Sequence, residues 1–179
     1  MRFSLIVLAL AVLAITGCHS TSPTVHPDTV SERDAALLGE ISKLIGDWEM
    51  ADENGAKQHA STFALTSAGS AVREIMFPGQ DHEMTNLYHM DGDQLVITHY
   101  CASGNQPRMV ASQPRRTAEG IVFHFAFDSV SNLRESHDHY MGDMTLTISD
   151  AGDIRQDWRS LNYEGELTEP MTFMLTRMN

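Results

Sequence analysis

Gln94-Leu95-Val96-Ile97-Thr98-His99-Tyr100-Cys101-Ala102-Ser103-Gly104-Asn105-Gln106-Pro107-Arg108-Met109 reads as a strand, a turn and the start of a second strand. Leu95, Ile97, His99 and Cys101 alternate with Val96, Thr98 and Tyr100, the period of two that sends successive side chains to opposite faces of a sheet. Ser103-Gly104-Asn105 breaks the run, and Pro107-Arg108 closes the turn. An imidazole, a phenol, a thiol and a guanidinium stand close together here, so the stretch is both a fold signal and a candidate site.

Segments of this kind recur on both sides. Strands are predicted near residues 46–50, 59–66, 70–77, 83–90, 94–101, 107–112, 120–127, 139–149, 153–161 and 171–178. Ala68-Gly69, Pro78-Gly79, Asp91-Gly92-Asp93, Glu119-Gly120, Asp150-Ala151-Gly152-Asp153 and Glu164-Gly165 stand where turns are needed between them. Ile121, Phe123, Phe125 and Phe127 share one strand face and His124 and Asp128 the other, which makes His124 a surface histidine. One helix precedes the strands: Ser31 caps it, Glu32 and Asp34 fill its first turn, Leu37, Leu38, Ile41, Leu44 and Ile45 form its apolar face, and Gly46 ends it. The fold class is therefore all-β, an antiparallel up-and-down barrel of about ten strands with one N-terminal helix on or in one end. Closure removes the bare edges that an open sheet would expose.

Residues 1–17 read as a signal peptide. Arg2 supplies the positive start, and the apolar run from Leu5 to Ile15 is too short to cross a bilayer. Ile15-Thr16-Gly17-Cys18 resembles a bacterial lipobox, and the resemblance implies a lipidated Cys18 as the mature N-terminus. Residues 18–30, rich in Ser, Thr and Pro, form a flexible tether, and residues 31–179 form the barrel domain. The expected location is the bacterial cell envelope, exported and lipid-anchored, facing the periplasm. With Cys18 acylated, Cys101 is the one remaining thiol, so no internal disulfide forms and the core must carry stability. The formal charge of -12 becomes -13 once Arg2 leaves with the signal, which argues against nucleic acid and against an anionic bilayer. Membrane contact is expected through the lipid anchor only, and no protein partner is specified.

Gly46-Asp47-Trp48 on the first strand, after a short helix and with Arg177 on the last strand, resembles the calycin pattern of lipocalins and fatty-acid-binding proteins. The resemblance implies that Arg177 packs across Trp48 at the closed end of the barrel, a contact worth about 0.5–2 kcal/mol. Met171, Phe173 and Leu175 share the strand face of Arg177. Residues 35–178 also resemble a family of uncharacterised bacterial lipocalin-like proteins. The stretches that carry this are Tyr88-His89-Met90-Asp91-Gly92-Asp93, Thr98-His99-Tyr100-Cys101, Gly104-Asn105-Gln106-Pro107-Arg108-Met109, His137-Asp138-His139 and Gln156-Asp157-Trp158. It implies a barrel and brings no activity with it.

Three constellations can carry chemistry. His99 and Cys101 share a strand face with Leu95 and Ile97, so an imidazole and a thiol line one cavity; they are either an activated nucleophile or a wall histidine and a small buried thiol. His137 and His139 form a His-x-His pair that can chelate Zn²⁺ or Cu²⁺ with His82 or His99 as a third ligand, or remain surface histidines; Gly142 nearby can place a bulge that alters the strand parity. In the turn, Asn105, Gln106 and Arg108 either recognise a ligand carboxylate or phosphate at a pocket rim or satisfy an awkward turn and a structural ion pair. Haem, held as in ten-stranded barrels resembling nitrobindin, needs an axial histidine such as His99 or His139.

The leading reading is a binding module. A small, partly apolar or amphipathic ligand sits in the barrel against Tyr88, His99, Cys101, Asn105, Gln106, Arg108 and Trp158. A metal- or haem-dependent protein or enzyme using His99, His137 and His139 is the alternative, and a solid structural envelope lipoprotein is the second. No catalytic residue and no cofactor is assigned.

Overall fold

The structure, a computed structural model, describes residues 32–111, 113–134, 139–162 and 165–178. Cys18, Ser31 and His137 lie outside them. Helix α1 (Glu32–Ser42) turns Leu37 and Ile41 into the core, but it ends sooner than the apolar spacing predicts. The Ser42 hydroxyl bonds back to the Leu38 carbonyl at 2.9 Å, and the amides of Leu44 and Ile45 reach back only three residues, to Ile41 and Ser42. These short-range bonds tighten the last turn and release the chain from the helix. Leu44 still packs inward, whereas Ile45 is exposed.

The strands follow in chain order: β1 (Gly46–Ala51), β2 (Lys57–Thr66), β3 (Ala71–Met76), β4 (Met84–Asp91), β5 (Gln94–Tyr100), β6 (Gln106–Ala111), β7 (Arg115–Thr117), β8 (Gly120–Ser131), β9 (Tyr140–Ser149), β10 (Ile154–Leu161) and β11 (Met171–Arg177). Ten of them close a ring. The sheet runs β6-β5-β4-β3-β2-β1-β11-β10-β9-β8, and β6 pairs with β8 to complete it. Every pairing is antiparallel, and the first strand meets the last with Trp48 opposite Arg177. The short β7, unforeseen in the sequence, pairs only with the start of β8 and stands outside the ring.

Among the described residues three bulges interrupt the ring, at Ala60 on β2, Asp128 on β8 and Gly142 on β9. Between β6 and β8 the register steps from Arg108↔Ser129 to Met109↔Phe127, so Asp128 is the extra residue. Phe127 precedes the bulge and keeps the face of Phe125, opposite buried Met109, but near the mouth it lies 37% exposed and packs on Tyr140 with ring centroids 5.2 Å apart. Between β9 and β10 the step from Asp143↔Arg159 to Met141↔Ser160 leaves Gly142 unpaired. A glycine is also required where β8 begins. Gly120 has φ +137°, and a Cβ there would overlap the Ile148 carbonyl of β9. Gly120→Ala is expected to cost about 2–3 kcal/mol, read as a fall in Tm of roughly 4–12 °C. A Tm within a degree of the parent would show that this strand start tolerates a side chain.

The two ends of the barrel differ. Toward α1 the interior is filled by Ile41, Leu44, Trp48, Phe63, Phe123 and Leu146, all essentially inaccessible and part of one continuous core. At the opposite mouth, where β5 turns into β6 and β8 leads toward β9, Met84, Met141 and Phe173 are only partly buried. Anything that enters the barrel between these residues meets the layer beneath them first.

Candidate functional site

That layer is polar. On β3 the inward parity of Val72 and Met76 carries Glu74 into the barrel, and all three are buried. Glu74 pairs with Asn86 on β4, and Asn86 pairs with His99 on β5, so carboxylate, amide and imidazole stand side by side on one wall. Gln156 and Trp158 face them from β10, on the far side of the ring.

The Glu74 carboxylate accepts four hydrogen bonds, two on each oxygen. Ser61 Oγ (2.8 Å) and Gln156 Nε2 (2.9 Å) donate to Oε1; Asn86 Nδ2 (2.8 Å) and the Tyr88 hydroxyl (2.9 Å) donate to Oε2. Trp158 Nε1 donates to Gln156 Oε1 at 3.2 Å. Burial pushes the Glu74 carboxyl up, and the four donors pull it back only in part. Burial and the neighbouring carboxylate together hold the Tyr88 hydroxyl well above the usual phenol range.

His99 ends the row. Its Nδ1 lies 2.7 Å from Asn86 Oδ1, its ring sits 5.1 Å from that of Trp158, and it is 1% exposed. Its Nε2 has no partner among the described residues, and neither does Asn105 Oδ1. Buried polar atoms are seldom left without a partner, so two such atoms at one end of a barrel single that end out. Burial lowers the His99 pKa to about 4, so the imidazole is neutral at pH 7. The unfolded chain protonates His99 near its ordinary value of 6.5 while the folded chain does not. Its contribution to stability is therefore whole above pH 6.5 and shrinks as the pH falls toward 4. Relative to His99→Phe, the parent protein is expected to lose about 3 kcal/mol between pH 7 and pH 4. Equal pH profiles in urea unfolding would mean that His99 titrates normally. The variant comparison is needed because Glu74, with its raised pKa, acts in the opposite direction and favours the folded state on acidification.

The rest of the opening stretch separates. β5 ends at Tyr100, so Cys101 belongs to a turn closed by Gly104 N–H to Cys101 O (2.9 Å) and Cys101 N–H to Asn105 O (3.1 Å). Ser103 Oγ donates to the Cys101 sulfur at 3.0 Å. The expected imidazole–thiol pair is therefore not formed: His99 Nδ1 engages Asn86, and its Nε2 bonds to nothing described. Asn105 is buried and donates through Nδ2 to the His139 carbonyl at 3.3 Å, which ties the β5–β6 turn to the start of β9. Gln106 serves the turn, donating to Gly104 O (2.9 Å) and accepting from Ser131 Oγ (2.9 Å).

Arg108 requires a correction. It lies within β6 on the face opposite buried Pro107 and Met109, not at the rim, and it binds Asp128 (2.6 Å) and Asp91 (2.5 Å) on the outer wall. The guanidinium holds the Asp128 carboxyl below its usual range. Arg108 thus leaves the ligand set for the structural ion pair that was its other reading. The metal reading rests on His137, which lies outside the described residues; among the described residues no three His, Cys, Asp or Glu side chains are placed to hold an ion. His82 is exposed and packs on Phe77 with centroids 4.9 Å apart, and His139 is exposed. His124, with 43% of its side chain exposed, contacts Asp143 on the outside.

At the closed end, Arg177 Cζ lies 4.6 Å from the Trp48 ring centroid. Its Nη1 donates to Ile45 O (2.8 Å) and its Nη2 to Lys43 O (2.6 Å). A Cβ on Gly46 would come within 2.8 Å of Nη1, so glycine makes room for the clamp.

No family model matches the sequence, and no curated protein matches it. Among solved structures, the crystal structure of Rv2717c from M. tuberculosis is similar, with a TM-score of 0.52 and 16% sequence identity over 79% of this chain and 97% of that one. The likeness is one of fold. It supports the barrel and leaves the chemistry to the residues within.

Glu74, Asn86, Gln156 and Ser61 form the centre of the site, yet none was named as a site residue from the sequence, although Gln156 stands in a stretch that carries the family resemblance. One signal was available: Glu74 stands between Val72 and Met76 on an otherwise apolar strand face, where a carboxylate needs a reason.

Proposed function

We propose that the protein is a binding module of the bacterial cell envelope, anchored by lipid on Cys18. Its barrel holds a small, partly apolar molecule at the mouth remote from α1. The observation that carries this is Nε2 of buried His99, which has no partner among the described residues, on a ring that packs against Trp158. A ligand that brings an apolar body to the methionine- and aromatic-lined mouth and one polar group to His99 satisfies both kinds of surface. The solid packing toward α1 favours this mouth over the other end. The resemblance to lipocalin-like lipoproteins read from the sequence fits the same role.

Native mass spectrometry of the protein purified from its own envelope fraction is expected to show a bound small molecule that is lost in His99→Phe. A parent mass equal to that of the bare lipoprotein would put the solid structural barrel in its place. The anchor is checked separately: a radiolabelled fatty acid is incorporated into the parent and not into Cys18→Ala.

Haem is the second reading, because a neutral imidazole nitrogen is also what an axial iron ligand requires. The residues present do not fit it as packed. His99 is covered and lies against Trp158, so a porphyrin would have to displace that ring.

A further inference from the structure

The orientation of Asn86 decides what His99 offers. Its Nδ2 donates to Glu74 Oε2 and also lies 3.3 Å from Met76 Sδ, so its Oδ1 must face His99. The reversed amide would set oxygen against a carboxylate oxygen that already accepts from Tyr88. Facing an oxygen, His99 Nδ1 carries the proton, and its Nε2 is left as a bare lone pair. Among the described residues Asn105 Oδ1 is a second acceptor without a partner, on the turn where Asn105 stands opposite Cys101, two residues beyond His99. Both unpartnered atoms at this mouth therefore accept, and neither donates.

We infer that Glu74 is a positioning residue. Acting through Asn86, it holds His99 in the Nδ1–H tautomer and thereby selects ligands that donate an N–H or O–H over ligands of equal shape that only accept. The selection of ligands rests on the proposed binding function; the control of the tautomer does not. Gln156 and Ser61 support the arrangement by filling the other carboxylate oxygen, so that Glu74 has no free lone pair with which to turn the amide.

Nitrogen-15 NMR of the folded protein at pH 7 reads the tautomer directly. The expected result is a protonated Nδ1 and an unprotonated Nε2 at His99 in the parent, and loss of that single tautomer in Glu74→Gln. Asn86→Leu, which removes the relay without touching Glu74, is expected to do the same should Glu74→Gln not fold. An Nε2–H tautomer in the parent overturns the inference, as does an unchanged tautomer in the folded variants. The ligand half is tested with two aromatic probes of similar shape, phenol, which donates, and anisole, which only accepts. Phenol is expected to bind roughly tenfold more tightly, the worth of one buried hydrogen bond, with the ratio falling toward one in His99→Phe. Anisole binding as tightly as phenol overturns the selectivity. Binding of neither probe, with the Nδ1–H tautomer intact, overturns the selectivity together with the binding function and leaves the positioning role standing.

Discussion

Replacing Glu74 with alanine lowers the free energy of unfolding by about 4 kcal/mol at pH 7. Four donors converge on this carboxylate, and two of them, the amides of Asn86 and Gln156, are held by their other contacts and cannot rotate away. A buried donor left without an acceptor costs about 1–3 kcal/mol. The hydroxyls of Ser61 and Tyr88 can re-aim, and water entering the space vacated by the side chain can offset part of the loss, so the four penalties do not simply add. Burial of the carboxylate acts in the other direction. It raises the pKa, which means that the charge itself opposes folding, and removing a buried charge is often harmless when its surroundings can adapt. Glutamine keeps the shape and one acceptor and loses the charge, so Glu74→Gln is expected to cost only about 1–2 kcal/mol. The order of the two variants in urea unfolding decides between the effects. If alanine costs less than glutamine, the charge penalty outweighs the hydrogen bonds.

Trp48→Ala is expected to lose a similar amount, about 4 kcal/mol, for a different reason. The ring is 0% exposed, meets Phe63 edge-on at 6.4 Å, and donates from Nε1 to Leu44 O at 2.7 Å. Truncating an aromatic side chain in such a position typically costs about 3–5 kcal/mol through lost burial and the cavity that remains. Arg177 adds a smaller, separable part. Its guanidinium covers the ring and ties the β1 end of the barrel to the carbonyls of Lys43 and Ile45, but the residue is exposed, so water competes for the cation. Arg177→Ala should therefore cost about 1 kcal/mol, and Trp48→Ala should cost less when Arg177 is already absent. A double-mutant cycle with no coupling between the two would show that the clamp acts through the carbonyls alone.

The opening hairpin illustrates what local sequence can carry. Leu95, Ile97 and His99 are buried as their alternation predicts, and the turn at Gly104-Asn105 lies where Gly and Asn place it. Arg108 was misplaced by assigning it to the turn's rim, although the strand predicted over 107–112 already contained it; the structure puts it on the face opposite buried Pro107 and Met109. Phe127 keeps the face of Phe125, opposite Met109, but its 37% exposure follows from its place near the mouth, which only the closed ring defines.

Sequence alone therefore determined the barrel: period-two alternation and Gly- or Asp-marked turns act over a few residues, and a row of antiparallel neighbours must close to hide its edges. The tertiary structure alone decided the site. Glu74, Asn86 and His99 become one row only through the register between β3, β4 and β5, and Gln156 reaches Glu74 from 82 residues along the chain only because the ring closes. Strand pairing over such separations is set by the packing of the whole interior. The same stretch that announces the fold thus carries a histidine whose chemistry is written by a carboxylate two strands away.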